Sequence, residues 1–207
     1  MRKIVVTISR EFGSGGRKIG ELLAQSLGIS FYDKALIDMA AEKSGLSKEF
    51  IESREQQMNS SLLYMLTMNN YYSNAMLSKD ILSPQDSLFI TQGKLIKSIA
   101  EKESCVIVGR CADYILRKRD DCLNLFIYAD MENKVKRAVE EYGIAPDNAE
   151  NELRKNDKAR ATHYHHYTGR SWGDVHNYHM CLSSSMLGVE GTAAMLKAYV
   201  NKIRLDG

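Results

Sequence analysis

The four cysteines, Cys105, Cys111, Cys122 and Cys181, have no CxxC spacing, so no zinc ribbon or paired-thiol redox motif is written in the chain. Three of them fall in or beside apolar strand-like runs, which predicts buried thiols rather than disulfides and a reducing, cytoplasmic setting. No apolar run approaches the length of a membrane span, and the one in "MRKIVVTISR" is too short for a signal peptide. An excess of one charge is missing too. Lys and Arg number 28 against 26 Asp and Glu, a net charge of +2, so bulk electrostatics points to neither nucleic acid nor a membrane surface. Internal repeats and low-complexity tracts are absent.

What is present reads as an ordinary globular chain. With 207 residues, 44% of them hydrophobic, it suits a single domain spanning 1–207 with a core that needs no metal or disulfide. "IVVTI" (4–8), "CVIVG" (105–109) and "LNLFIYA" (123–129) read as strands covered on both faces, with shorter ones at "SFYD" (30–33) and "MCLS" (180–183). Helical spacing alternates with them. Ile19, Leu22, Leu23 and Leu27 form one apolar stripe, stopped by Gly28. Ser83-Pro84 reads as a capped start leading to Leu88, Leu95, Ile96 and Ile99, and Asp130 opens a helix carrying Val135, Ala138 and Val139. A last helix presents Ala193, Leu196, Val200 and Ile203. Strands separated by helices predict a three-layer α/β sandwich with a parallel sheet of about five strands. Two stretches exceed that scheme: a Met- and Tyr-rich helical insertion over about 46–82, and a basic, aromatic lid segment over about 148–178.

The chemistry concentrates between the first strand and first helix, in "REFGSGGRK". A helix entered from a strand through glycines presents free N–H groups and a partial positive charge, the combination that holds phosphate. Gly13, Gly15 and Gly16 supply the cradle and Ser14 a hydroxyl. The Lys-Ser/Thr pair that ends such loops is absent, and the loop alone leaves open a tight turn in a fold without nucleotide.

Read as a whole, "VTISREFGSGGRKIGELLAQSLGISFYD" and "VIVGRCADYILRKRDDCLNLFIYAD" resemble bacterial cytidylate kinases, and most of all the cytidylate-kinase-like branch with its "SREFGSGGR", "FYDK", "GRxADYIL" and "YTGxxWGD" signatures. The resemblance covers most of the chain outside the insertion. It implies a P-loop NTPase fold and transfer of the γ-phosphoryl group of ATP, with Mg²⁺, to a nucleoside monophosphate or a related small acceptor. Gly13, Ser14, Gly15, Gly16, Arg17 and Lys18 then stand at the donor phosphates, with Gly16 in the lysine's place, Arg17 as the substituting cation and Lys18 at the family's later threonine. The hydroxyl that holds Mg²⁺ in those enzymes has no clear counterpart, with Ser14 or a water as its substitute. Arg110 matches the acceptor-holding arginine; the acceptor-contacting Asp that follows it in those enzymes is Cys111 here, with Asp113 placed to compensate. Asp33 is assigned to acceptor or Mg²⁺, or to capping a helix. Lys158, Arg160 and Arg170 are the lid cations expected to neutralise transferred charge. His163, His165 and His166 do not share one helix face and suit lid contacts to phosphate better than a metal. Two other readings remain: a nucleotide or phosphate sensor without efficient turnover, and an interaction module forming a homo-oligomer through the Met- and Tyr-rich insertion near 58–76.

Overall fold

The computed structural model describes residues 3–33 and 83–206; the expected insertion over 46–82, and the oligomer contact placed in it, lie outside the described residues. Strands β1 (Val5–Arg10), β2 (Ser30–Tyr32), β3 (Cys105–Val108), β4 (Cys122–Tyr128) and β5 (Met180–Ser183) form one sheet in the order β2-β3-β1-β4-β5. Every pairing is parallel, with Val5 opposite Cys105 on one side and Cys122 on the other. Among the described residues the helices are α1 (Gly16–Leu27), α2 (Pro84–Lys102), α3 (Ala112–Ile115), α4 (Met131–Glu140), α5 (Pro146–Thr168) and α6 (Gly188–Asp206). A 3-10 turn, Val175–Asn177, precedes β5.

Alternation along β1 divides the core. Ile4, Val6 and Ile8 point to the face covered by α1 and α6, where Ile19, Leu23, Leu196 and Val200 meet them. Val5 points the other way, with Cys105 and Ile107, against Ile96, Ile99 and Leu116. With both faces covered, nearly every residue of β1, β3 and β4 is buried, which explains their unbroken apolar runs. Each such fully buried aliphatic side chain is worth about 1.5–3 kcal/mol. Among the buried polar residues of these strands, Thr7 donates its hydroxyl to Asn124 Oδ1 at 2.7 Å.

The caps agree with the local signals. Gly28 ends α1 at φ 64, Ser83 accepts from Asp86 N–H at the start of α2, and Asp130 accepts from Asn133 N–H at the start of α4. All four cysteines are free thiols, and burial pushes Cys105 and Cys122 up to about 12. Among the described residues no helix is long and apolar enough to cross a membrane. The short helix α3 is an element the sequence pattern does not announce. The strand order reverses at β1, so the crevice at its carboxyl end, between β3 and β4, is where a ligand site belongs.

Candidate functional site

Three segments converge on that crevice, beginning with the glycine loop. It runs from Arg10, the last residue of β1, to Gly16, the first of α1, turning through Gly13 (φ 80) and Gly15 (φ 75). A Cβ at Gly13 would come within 2.7 Å of Leu153 Cδ2, and one at Gly15 within 2.7 Å of Val189 Cγ2, so both positions are also closed by packing. Ile19 N–H bonds back to the Gly15 carbonyl, which leaves the first-turn amides before it at the mouth of the loop. Ser14 is fully buried: its hydroxyl donates to the Glu11 carbonyl at 2.9 Å and accepts from Gly16 N–H at 3.3 Å, while its carbonyl accepts from Ser184 Oγ.

The turn after β3 is strained. Arg110 (φ 57) and Cys111 (φ 53) follow Gly109 (φ 80), so three successive residues adopt the left-handed region. For residues with a Cβ this costs on the order of 1–3 kcal/mol each, and such turns concentrate at functional sites. The turn brings Arg110 to the crevice and starts α3, where Asp113 lies buried beneath it. Asp113 accepts from Tyr164 O–H at 2.6 Å and sits 3.5 Å from Ser9 Oγ. Burial raises its pKa above the ordinary carboxylate range, and the same burial and the neighbouring carboxyl raise Tyr164.

Helix α5 closes the crevice from above. Asp157 accepts from Phe12 N–H at 2.6 Å and from Lys134 Nζ at 2.7 Å, and Lys134, only 6% exposed, also reaches Glu11 at 3.1 Å. One turn further, Arg160 donates to the Arg10 carbonyl at 2.9 Å and lies over the Phe12 ring at 5.3 Å. Below the helix are two cavities. One, about 210 Å³, is lined by the glycine loop, Arg17 and Tyr142; the other, about 240 Å³, by Ser9, Arg110, Cys111, His163 and Trp172. Arg10 and Arg160 line both.

Positive charge dominates the junction. Burial, then Arg160, then Arg110 and Arg17 lower Arg10 from 12.5 to about 9, against the opposing effect of Asp33. Burial likewise lowers Arg160. Asp33, following β2, accepts from Arg17 Nε at 2.8 Å but stands 3.9 Å from Arg10. Burial and Arg110 lower His163 to about 4, so it is a neutral ring at pH 7. A cluster of arginines around Asp33, beside the N–H groups of the glycine loop, favours a ligand with several negative charges.

The comparisons with known proteins agree with the geometry. The family model of the cytidylate kinase-like family matches residues 5–186. The chain belongs to the cytidylate kinase-like family. No curated protein sequence matches it. A crystal structure of an uncharacterized protein from Eubacterium ventriosum is similar at 28% identity and a TM-score of 0.70, covering 96% of this chain and 99% of that one. Shikimate kinases from Bacteroides thetaiotaomicron (12% identity, TM-score 0.55, 96% and 98% covered) and Aquifex aeolicus (15%, 0.51, 99% and 100%) share the fold.

Measured against what cytidylate kinase-like membership suggests, the expected site residues separate into two groups. Gly13, Gly15, Gly16, Arg17, Asp33, Arg110 and Arg160 come together around the two cavities. The others stand apart. The Ser14 hydroxyl is used within the loop, and Lys18 pairs with Glu21 at 3.2 Å on the outer side of α1. Lys158 is exposed and lines neither cavity. Arg170 stacks over Tyr114 at 5.4 Å beyond the end of α5, and Asp113 is taken by Tyr164. Within the "YTGxxWGD" stretch, Tyr167 stacks on Phe89 at 3.9 Å, Trp172 meets Phe126 edge-on at 5.3 Å while lining the cavity beside Arg110, and Asp174 caps the 3-10 turn. No group of His, Cys, Asp and Glu able to hold a metal occurs among the described residues. Arg10 was absent from the expected set, although its place at the head of "REFGSGG", where such loops carry glycine, was a usable signal.

Proposed function

We propose that this protein is a phosphotransferase that moves the γ-phosphoryl group of ATP to a small anionic acceptor, with nucleoside monophosphates as the first class to consider. The observation that carries this reading is the pair of adjoining cavities with Arg10 and Arg160 in their common wall. A donor held by the glycine loop and an acceptor beside Arg110 would meet at those two cations. The loop amides and Arg17 bind and orient the donor phosphates, while Arg110 holds the acceptor and Trp172 offers a flat apolar face to it. In the transfer, an acceptor oxygen bonds to the γ-phosphorus as the bond to the β–γ bridging oxygen breaks, and the electron pair leaves with ADP. A hydroxyl acceptor gives its proton to water. Arg10 and Arg160 neutralise the charge on the transferred oxygens, and the helix above them excludes water as a competing acceptor.

The glycine-loop cradle fits the phosphates of ATP. The side chains around it do not fit a protein-held Mg²⁺, because the Ser14 hydroxyl is spent inside the loop and Asp33 is engaged by arginine. Mg²⁺ belongs in this reading on the nucleotide's own phosphates, and no step is assigned to it.

Phosphorus NMR of the protein with ATP and Mg²⁺ tests the proposal, against CMP, dCMP, UMP, AMP, shikimate, gluconate and no acceptor in parallel. ADP formation that requires one acceptor supports it and names the class. A melting shift with ATP but no turnover on any acceptor would favour the sensor reading instead. ATP at 100-fold excess over its dissociation constant raises stability by about 2.7 kcal/mol.

A further inference from the structure

The general phosphate loop has the form G-x-x-x-x-G-K-[ST], and this chain departs from it at two positions that complement each other. Arg10 stands at the first glycine of that pattern and Gly16 at the lysine. Gly16 is not among the residues with positive φ, so its backbone does not require glycine. Space does. A Cβ at Gly16 would lie 2.5 Å from Arg10 Cβ, 3.0 Å from Arg10 Cγ and 3.2 Å from Ile127 Cβ. The stem of Arg10 occupies the room through which a side chain at position 16 would leave the loop, so a lysine at 16 and an arginine at 10 exclude each other. The far end of Arg10 is cleared in the same way, since a Cβ at Gly109 would strike its Nη1 atom.

We propose that Arg10, more than Arg17, is the cation that takes the place of the loop lysine at the donor phosphates, doing from the first position of the glycine loop what a lysine at position 16 does elsewhere. The assignment rests on the phosphotransferase reading above. Arg10 lines both cavities, and the end of its side chain lies against Gly109, itself part of the wall of the cavity beside Arg110. Its main chain is held by Arg160, which donates to its carbonyl at 2.9 Å. Its nearest counter-charge, Asp33, is 3.9 Å away and bonded to Arg17 at 2.8 Å, too far to hydrogen-bond with Arg10 and already shared. A purely structural arginine would have a closer partner. Burial among Arg160, Arg110 and Arg17, which lowers its pKa to about 9, is the condition of a cation kept for an incoming anion. The bidentate fork of a guanidinium also suits two phosphate oxygens, which a lysine contacts as a point charge.

The exchange is tested by moving the cation back. Affinity for ATP and for inorganic tripolyphosphate is measured by calorimetry, and turnover by phosphorus NMR, for the unmodified protein and for R10Q, R10G, G16K and R10G/G16K. R10Q keeps most of the stem and the fold, which circular dichroism and the melting point verify. Its affinity for both ligands is expected to fall about tenfold to a hundredfold, the range for a hydrogen bond to a charged group. G16K places its Cβ against Arg10 and is expected to lose binding as well, whereas R10G/G16K, with the space reopened, recovers at least half of the loss on a logarithmic scale. Unchanged affinity in R10Q, or a double variant as weak as R10G, overturns the assignment. Binding of ATP that depends on Arg10 without turnover of any acceptor overturns the phosphotransferase reading and leaves the assignment of Arg10 standing. If the unmodified protein binds neither ligand, both are overturned.

Discussion

Raising the pH should weaken anion binding at the glycine loop through Arg10. Burial and the charge of Arg160 hold the Arg10 pKa at about 9, where an isolated guanidinium has 12.5, a difference equivalent to on the order of 5 kcal/mol. A dianion in the loop replaces lost hydration and opposes the neighbouring cations, which restores the charged form. Above pH 9 the complex then binds a proton that the free protein has lost. Affinity is therefore flat below pH 9 and falls by about tenfold for each pH unit above it, roughly 1.4 kcal/mol per unit. The sign for stability is opposite. Between pH 9 and 12.5 the unfolded chain holds a proton that the folded one does not, so the ligand-free protein gains stability as the pH rises through about 9. Sulfate is the probe, because its own charge is constant over this range. Calorimetric titrations from pH 8 to 10.5 are compared between the unmodified protein and R10Q, so that lysine titration, common to both, cancels in the difference. A curve as flat for the unmodified protein as for R10Q at pH 10.5 would refute the charge state assigned to Arg10.

Two predictions concern the supports of the site. Lys134, 6% exposed between Glu11 at 3.1 Å and Asp157 at 2.7 Å, fastens the loop to the closing helix. K134M leaves two carboxylates facing each other and should cost about 3 kcal/mol or more, lowering Tm by roughly 10 °C; a fall under 3 °C would mean the bridge is dispensable. Asp113 has a raised pKa from burial, so its contribution to stability is present at low pH and is lost as the pH rises through its elevated value. D113N removes that dependence, and denaturant unfolding should find its stability relative to the unmodified protein greater at pH 8 than at pH 4; a gap that stays constant would place the titration elsewhere.

The strands were legible because burial on both faces erases the alternation that would otherwise confuse them with surface segments. "IVVTI", "CVIVG" and "LNLFIYA" each correspond to a strand of the sheet, shifted at the ends by a residue or two. The helix starts at Ser83 and Asp130 and the stop at Gly28 were legible for a different reason, since caps are local and depend on residues three or four apart. The short helix α3 was not, because four residues carry no period and its start rests on the strained turn at Arg110 and Cys111.

Sequence by itself determined the parallel α/β architecture, the glycine loop at the carboxyl end of β1 and the presence of several cations after it, all of which follow from local pattern and from motif order. Tertiary structure alone decided which cations face the crevice. Lys18, Lys158 and Arg170 satisfied the pattern and point elsewhere, whereas Arg10 reads as the polar end of a strand and stands between the two cavities. The physical reason is that a side chain's direction depends on the space its neighbours leave, and the neighbours that clear the path of Arg10, Gly16 and Gly109, are 93 residues apart in the chain and adjacent only once β1 and β3 pair.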